Sequence, residues 1–403
     1  MRPAKGHLSC MIYRRFGRTE IAMPVLSCGG MRYQHKWDDV PPEEIPKTNQ
    51  ENLERTIHRA LELGINHIET ARGYGSSEMQ LGWVLPKIPR EKLIVQTKVG
   101  PAADPAEFIA NFEKSMAYLQ LDHVDLLSIH GINTCELFEQ TMRPGGCLEA
   151  ARRLQKDGRC RFIGFSTHGP LDVIQDALNS GEFDYVNLHW YWVNDHNWPA
   201  VIDATRHDMG VFIISPNDKG GKLYESPDKL ARLCEPLSPM AFNDLYCLQR
   251  RQVHTLSIGA AKPSDFDEHV KAVGLLDQAE TLVPPIDRRL REAMNDALGA
   301  DWVAGWKEGV PEWQQVPGQI NILEIVRLWN FAKSLDMVEF AKMRYNLLGN
   351  GGHWFPGLNA ASLSEHDLRP CLARSPFAGR IIEVLADAHR MLAGEERKRL
   401  SKE

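Results

Sequence analysis

Glu69, Tyr74, Lys98 and His130 are a carboxylate, a phenol, an amine and an imidazole, each at or beside the end of a short apolar run. A phenol with an ordinary pKa of ~10 is a poor acid at neutral pH, but a neighbouring ammonium stabilises the phenolate and eases proton release. Lys98 is the residue type for that task, and Glu69 is the carboxylate that would hold the ammonium in place. His130 is a donor able to orient a carbonyl oxygen. The set suits reduction of a carbonyl, with a proton delivered to oxygen as hydride arrives at carbon. Tyr74 lies between Gly73 and Gly75 in the stretch 68–82, IETARGYGSSEMQLG, which reads as a strand, a tight loop and a helix start. Such a loop presents a phenol at the mouth of a pocket rather than in a core.

Residues this far apart in sequence meet only if the fold brings the ends of their elements together. The chain repeats a unit of short apolar run, loop and amphipathic helix, with runs at 25–29, 65–70, 93–98, 124–130, 162–166, 185–188, 211–215 and 253–259. Eight such units predict a closed parallel barrel, because parallel strands need helical crossovers and eight strands close around a filled interior. The expected class is α/β: a (β/α)8 TIM barrel within residues 11–275, opening with a β-hairpin whose turn is at 17–20 and followed by an all-helical extension over 276–403. An open doubly wound sheet is the alternative, and Gly29-Gly30 argues against it because no G-x-G-x-x-G follows. In a closed barrel the carboxyl ends of the strands form one mouth. Glu69, Lys98, His130, Ser166, Thr167, His168, Asn187 and Ser215 lie at or just past such ends and are expected to converge there.

Composition narrows the function classes. Lys plus Arg number 47 against 53 Asp plus Glu, a net charge of −6 without blocks of one sign, so no nucleic-acid or membrane surface is indicated. Eight scattered cysteines without a C-x-x-C pair, and no signal-peptide pattern, read as a cytoplasmic protein. The apolar runs are too short and too often charged to span a bilayer. From about residue 276 the pattern changes: Val283-Pro284-Pro285 reads as a linker, and helical segments follow at 290–298, 322–335, 337–347 and 381–392, with a Gly/Pro/Trp-rich loop at 349–359. Residues 1–10 read as a start-site extension and 394–403 as a frayed, solvated tail.

Across roughly 11–275 the sequence resembles the aldo-keto reductases. The resemblance rests on YRRFGRTEI near the start, ETARGYGSSEMQLG for a D-x-A-x-x-Y-G-x-S-E signature, QTKVG, HVDLLSIHGI and GRCRFIGFSTHGP. It implies that Tyr74 is the general acid, Lys98 its pKa-lowering partner and His130 the orienting donor. It also implies a nicotinamide dinucleotide, NADPH or NADH, bound without a Rossmann fold, and a small-molecule carbonyl substrate. The usual aspartate of the family is Glu69 here, one methylene longer.

Further cofactor positions follow from the resemblance. Gly30 and Met31 lie after the first barrel strand. Ser166 with Thr167 replace the usual Asn as carboxamide partners, and Asn187 replaces the usual Gln. Ile214 stands where many members have a stacking aromatic. In SPNDKGGKL, Ser215, Lys219 and Lys222 are expected to meet the pyrophosphate, against the charge of Asp218. Members that prefer NADPH commonly carry an arginine six residues after the position of Gly259; that position is Asp265 here, with Lys262 nearby, which predicts weak or reversed NADPH preference. Glu268 is the implied adenine contact, and His269 replaces the usual Asn.

The extension resembles that of an aldo-keto reductase subgroup carrying a ferredoxin-like iron-sulfur module, through PGQINILEIVRLWNFAKSLDMVEFAKMRYNLLG and HWFPG. Only Cys371 is present there, so the expectation is a relic scaffold without a cluster, shaping substrate access or an oligomer surface. No metal site is expected. Two other classes compete: a regulatory or scaffold protein that binds cofactor with little catalysis, and an electron-transfer partner, against which the cysteine count argues. For Ser166 and Asn187 a purely structural strand-end role is equally open. Trp190-Tyr191-Trp192 is better read as a packed aromatic loop than as a substrate platform.

Overall fold

The computed structural model describes residues 11–396. The expectations for residues 1–10 and for most of 394–403 lie outside the described residues.

Strands β1 (Tyr13–Arg15) and β2 (Ala22–Pro24) form the expected antiparallel hairpin, with Tyr13 opposite Pro24 and a short 3-10 turn at Gly17–Thr19. Then come β3 (Leu26–Gly29), β4 (His67–Glu69), β5 (Ile94–Val99), β6 (Val124–His130), β7 (Cys160–Ser166), β8 (Tyr185–Leu188), β9 (Gly210–Ile213) and β10 (Thr255–Ile258). These eight pair in parallel in chain order, and β10 returns to pair with β3, so the sheet is a closed barrel.

The barrel interior is layered because inward side chains recur every second residue. At the amino ends, Phe16, Ile21 and Met23 of the hairpin pack with Ile94, Leu126, Tyr185 and Phe212 in one apolar cluster. Above it sits a polar layer. Ser27 Oγ bonds His67 Nδ1 at 2.6 Å and Thr255 Oγ1 at 2.7 Å, while Gln96 Nε2 donates to Ser128 Oγ at 3.0 Å and Ser128 meets the Tyr185 hydroxyl at 3.0 Å. Burial pushes the His67 imidazole down to about 3, so it is neutral. The next inward positions toward the carboxyl ends are those of Glu69, Lys98, His130, Ser166 and Asn187.

The outer helices form for local reasons. Helix Lys47–Glu62 buries Leu53, Ile57 and Ala60, a stripe at three- and four-residue spacing. Helix Pro105–Leu119 starts with proline in its first turn, takes an N-cap bond from Ala106 N to Asp104 at 2.8 Å and ends on left-handed Gln120.

The chain divides into two units. The first runs through the barrel strands to Pro216 and resumes at Asn243–Ala279; the second comprises Asn217–Phe242 and the chain from Glu280. Residues 217–242, expected within the barrel region, thus group with the C-terminal helices. In the second unit helix Ile322–Leu335 takes an N-cap bond from Glu324 N to Asn321 at 3.0 Å, and helices Val338–Tyr345 and Ala378–Leu392 follow. Glu324 accepts from Arg327 at 2.6 Å and Arg344 at 3.1 Å; burial would raise its carboxyl, but the two guanidiniums hold it down at about 2. The expected linker is overturned: Val283-Pro284-Pro285 lies inside helix Ala279–Leu298. Two prolines there forfeit backbone hydrogen bonds at a cost of ~3 kcal/mol or more each. Buried Val283, Ile286 and Leu290 offset that, at about 1.5–3 kcal/mol apiece.

Candidate active site

Glu69 is the last residue of β4 and Lys98 points inward from neighbouring β5, so the two strands set a carboxylate beside an ammonium. They form an ion pair whose side chains are 3% and 1% exposed. Lys98 Nζ also donates to the Thr70 carbonyl at 3.0 Å and to the Tyr74 hydroxyl oxygen at 3.3 Å, which accounts for all three ammonium protons. The Tyr74 hydroxyl in turn lies 3.5 Å from Glu69 Oε1, and Glu69 Oε2 accepts from Ser257 Oγ at 3.1 Å. Burial pushes Lys98 down, and the adjoining carboxylate works against that by favouring the ammonium. Burial likewise pushes the Tyr74 phenol above its ordinary range, so it holds its proton at neutral pH. His130 closes β6; its ring meets the Tyr74 ring edge-on, centroids 5.8 Å apart.

The loop that carries Tyr74 is fixed from two sides. Gly75 has φ +55°, and a Cβ there would run into the Trp37 backbone and the Lys36 carbonyl, so the close approach requires glycine. Gly73 has no such constraint. Ser76 N donates to Lys36 O at 3.0 Å, and Ser76 Oγ accepts from His35 N and Lys36 N at 3.1 Å. Arg72 pairs with Asp39 and, at 2.5 Å, with buried Glu78, which also accepts from Thr97 Oγ1. Trp37 packs edge-on against the Tyr74 ring at 5.9 Å. The phenol is bracketed by Trp37 and His130 and anchored by Lys98, an arrangement able to deliver one proton to an oxygen at the mouth.

Residues 25–229 match the aldo/keto reductase family. The match covers more than half of the chain and includes all four side chains of the site. The chain belongs to the aldo/keto reductase family. It is 28% identical over 258 residues to L-galactose dehydrogenase of Arabidopsis thaliana, covering 55% of this chain and 78% of the relative. It is 28% identical over 188 residues to the NADH-specific methylglyoxal reductase of Escherichia coli, covering 41% and 56% respectively. The chain spans about half the length of several other curated relatives it matches. Among solved structures, the holo form of an aldo-keto reductase from Bacillus halodurans superposes with a TM-score of 0.56 at 22% identity, over 68% of this chain and 96% of that one, a likeness of fold.

The positions implied for the cofactor in this aldo/keto reductase differ in how they are engaged. Asn187, on β8 and wholly buried, has neither its Oδ1 nor its Nδ2 hydrogen-bonded. An unsatisfied buried amide is costly, and a carboxamide is the group that would satisfy both atoms. Ser166 Oγ accepts from Gly131 N at 3.0 Å and still has a proton to give. Thr167 Oγ1 donates to Ile132 O at 2.7 Å and accepts from Gly169 N at 3.0 Å, so its proton is used in the loop. Gly30 is buried and Met31 half-buried just past β3. Ser215 is half-buried at φ +52° past β9, and Ile214 packs on the apolar cluster. After β10, Gly259 and Glu268 are half-buried and Lys262 is exposed; Asp265 Oδ2 accepts from Ala261 N at 2.8 Å. His269 is buried at 2.5 Å from Asp244, which raises its imidazole against the effect of burial. Lys219 and Lys222 belong to the second unit: Lys219 is buried with its ammonium over the Phe355 ring, and Lys222 pairs with Glu225.

Trp190, Tyr191 and Trp192 are all buried, and Trp190 stacks on Tyr246 at 5.3 Å, so this is a packed loop. His168 and His189 meet edge-on at 4.5 Å. Among the described residues no group of three or more His, Cys, Asp or Glu is placed to hold a metal. Sequence reasoning passed over Ser257 and Trp37. Ser257 was discoverable from the alternation Thr255, Ser257 on the last strand, since barrel closure sets β10 beside β3. Trp37 sits in a loop without periodicity and carried no signal.

Proposed function

We propose that the chain reduces an aldehyde or ketone to the alcohol with NADPH or NADH, Tyr74 serving as general acid. The observation that carries the reading is the Tyr74 hydroxyl 3.3 Å from a fully buried Lys98 that is itself paired with Glu69. Tyr74 delivers its proton to the carbonyl oxygen. Lys98 then faces the phenolate at hydrogen-bond distance, stabilising the charge formed, and Glu69 keeps the ammonium in place. His130 donates to the carbonyl oxygen and orients it. A reduced nicotinamide, when bound, supplies the hydride. Asn187, with both amide atoms unsatisfied, would hold the carboxamide, with Ser166 beside it.

Relatives named for methylglyoxal, glyoxal and L-galactose support small oxygen-rich carbonyl compounds as the first class to try. The scattered cysteines support a cytoplasmic setting. The extension over 276–403 has one cysteine, Cys371, which supports a scaffold without an iron-sulfur cluster.

The test is turnover of an aldehyde panel with NADPH and NADH by the wild type and by Tyr74→Phe. Cofactor binding should survive the substitution, while turnover falls ~10²–10⁴-fold. Equal turnover by the two proteins would remove the mechanism. Tight cofactor binding with no turnover by the wild type would favour a regulatory role.

A further inference from the structure

The Glu69 carboxylate has a partner on the far side of β3. Strands β4 and β10 both flank β3. Gly29, the last residue of β3, lies in register with Glu69. Two strand spacings of ~4.8 Å separate β4 from β10, too far for short side chains to touch across an ordinary residue. Here they do touch: Ser257 Oγ donates to Glu69 Oε2 at 3.1 Å, and both side chains are buried. The gap they cross is the space a side chain on Gly29 would fill. A Cβ there would lie 2.5 Å from Ser257 Oγ and 3.2 Å from Glu69 Oε2.

We propose that Ser257 is a positioning residue for the carboxylate of the Tyr74–Lys98–Glu69 site, acting on the longer Glu69 side chain through the space left by Gly29. The proposal rests on the reading of that site as the one for carbonyl reduction. Ser257 holds Oε2, which turns Oε1 to Lys98 and to the Tyr74 hydroxyl 3.5 Å away. An aspartate, shorter by one C–C bond of about 1.5 Å, would withdraw from Ser257 altogether. The added methylene is thereby used to gain an anchor rather than to displace the lysine. Among the described residues the titratable groups bonded to Glu69 are Lys98 from β5 and Tyr74 from the following loop; the Tyr33 hydroxyl, beside Gly30, is pushed well above its ordinary range by burial and stays neutral. His67 lies two residues earlier on β4 and is pushed down to about 3 by burial, so it stays neutral through the range of the test.

The test combines Ser257→Ala, Glu69→Asp and the double variant. Ser257→Ala should lower kcat about tenfold with KM nearly unchanged. It should also move the acid limb of the kcat profile to higher pH, because a carboxylate that loses a donor becomes easier to protonate. In the Glu69→Asp background the same substitution should have no further effect, since the contact is already gone. The Glu69 carboxyl ¹³C resonance, assigned by its loss in Glu69→Gln, should titrate at higher pH in Ser257→Ala whether or not the protein turns over a carbonyl. An unchanged titration midpoint, or effects of the two substitutions that multiply, would overturn the proposal. A shifted midpoint in a protein without turnover would keep the proposal and reject the carbonyl reading.

Discussion

Lys98 is the residue on which the site depends most, because its ammonium is buried and every proton on it has a named acceptor. Lys98→Met should abolish turnover and leave the Glu69 carboxylate buried with only Ser257 and the Tyr74 hydroxyl for company. Breaking a buried pair in this way costs about 3–5 kcal/mol. Urea unfolding of the variant checks it, and a loss below about 1 kcal/mol would mean that Glu69 is not ionised in the folded protein. The reading of Tyr74, Lys98, His130 and Glu69 from sequence rested on residue types at strand ends, and the barrel does bring them together. The direction of the phenol shift was not legible. The sequence places an ammonium beside Tyr74, which suggests a lowered phenol, whereas burial raises it, and burial depends on packing around the loop rather than on neighbours in the chain.

The elements were legible wherever an apolar run ends at a turn signal. Strands Val124–His130 and Tyr185–Leu188 and helix Ile322–Leu335 have the expected bounds because each is bordered by residues that stop it. Of helix Ala279–Leu298 only the part from 290 was legible; its first half was not, since two prolines outweigh propensity locally while Val283, Ile286 and Leu290 decide the matter through burial. The Ser257–Glu69 bond was hidden for another reason: it spans residues that become neighbours only when β10 closes on β3. The segment after β10 carries its own prediction. Asp265 turns its carboxylate to the Ala261 amide, which holds a negative charge in the loop that the proposed function sets against a 2′-phosphate. Asp265→Asn keeps an acceptor for that amide and removes the charge. It should tighten NADPH several-fold while leaving NADH nearly unchanged, read as two dissociation constants by fluorescence titration. Equal changes for both cofactors would place Asp265 away from the 2′-phosphate.

For the molecule as a whole, the buried polar layer beneath the site sets the acid limit of stability. His67 is neutral when folded, with its imidazole at about 3, whereas an unfolded histidine takes up a proton near 6.5. As pH falls through 6.5 the unfolded chain binds the proton first, so stability present above that value is lost progressively down to about 3. At pH 4.5 the loss from this one group is about 2–3 kcal/mol. His254, pushed down to about 4, adds in the same direction, while the Glu324 carboxylate contributes only below about 4.5. His67→Gln should flatten the fall of unfolding free energy between pH 6.5 and 4.5, and an unchanged slope would show that His67 is not the group responsible. The claim that joins these scales is that this barrel moves hydride to a carbonyl carbon while Tyr74 supplies the proton. Single turnover with nicotinamide cofactor deuterated at the transferred position tests it most directly. The account predicts one deuterium on the carbinol carbon of the alcohol formed by the wild type and none formed by Tyr74→Phe at comparable times; cofactor oxidised without deuterium in the alcohol, or equal labelling by both proteins, would contradict it.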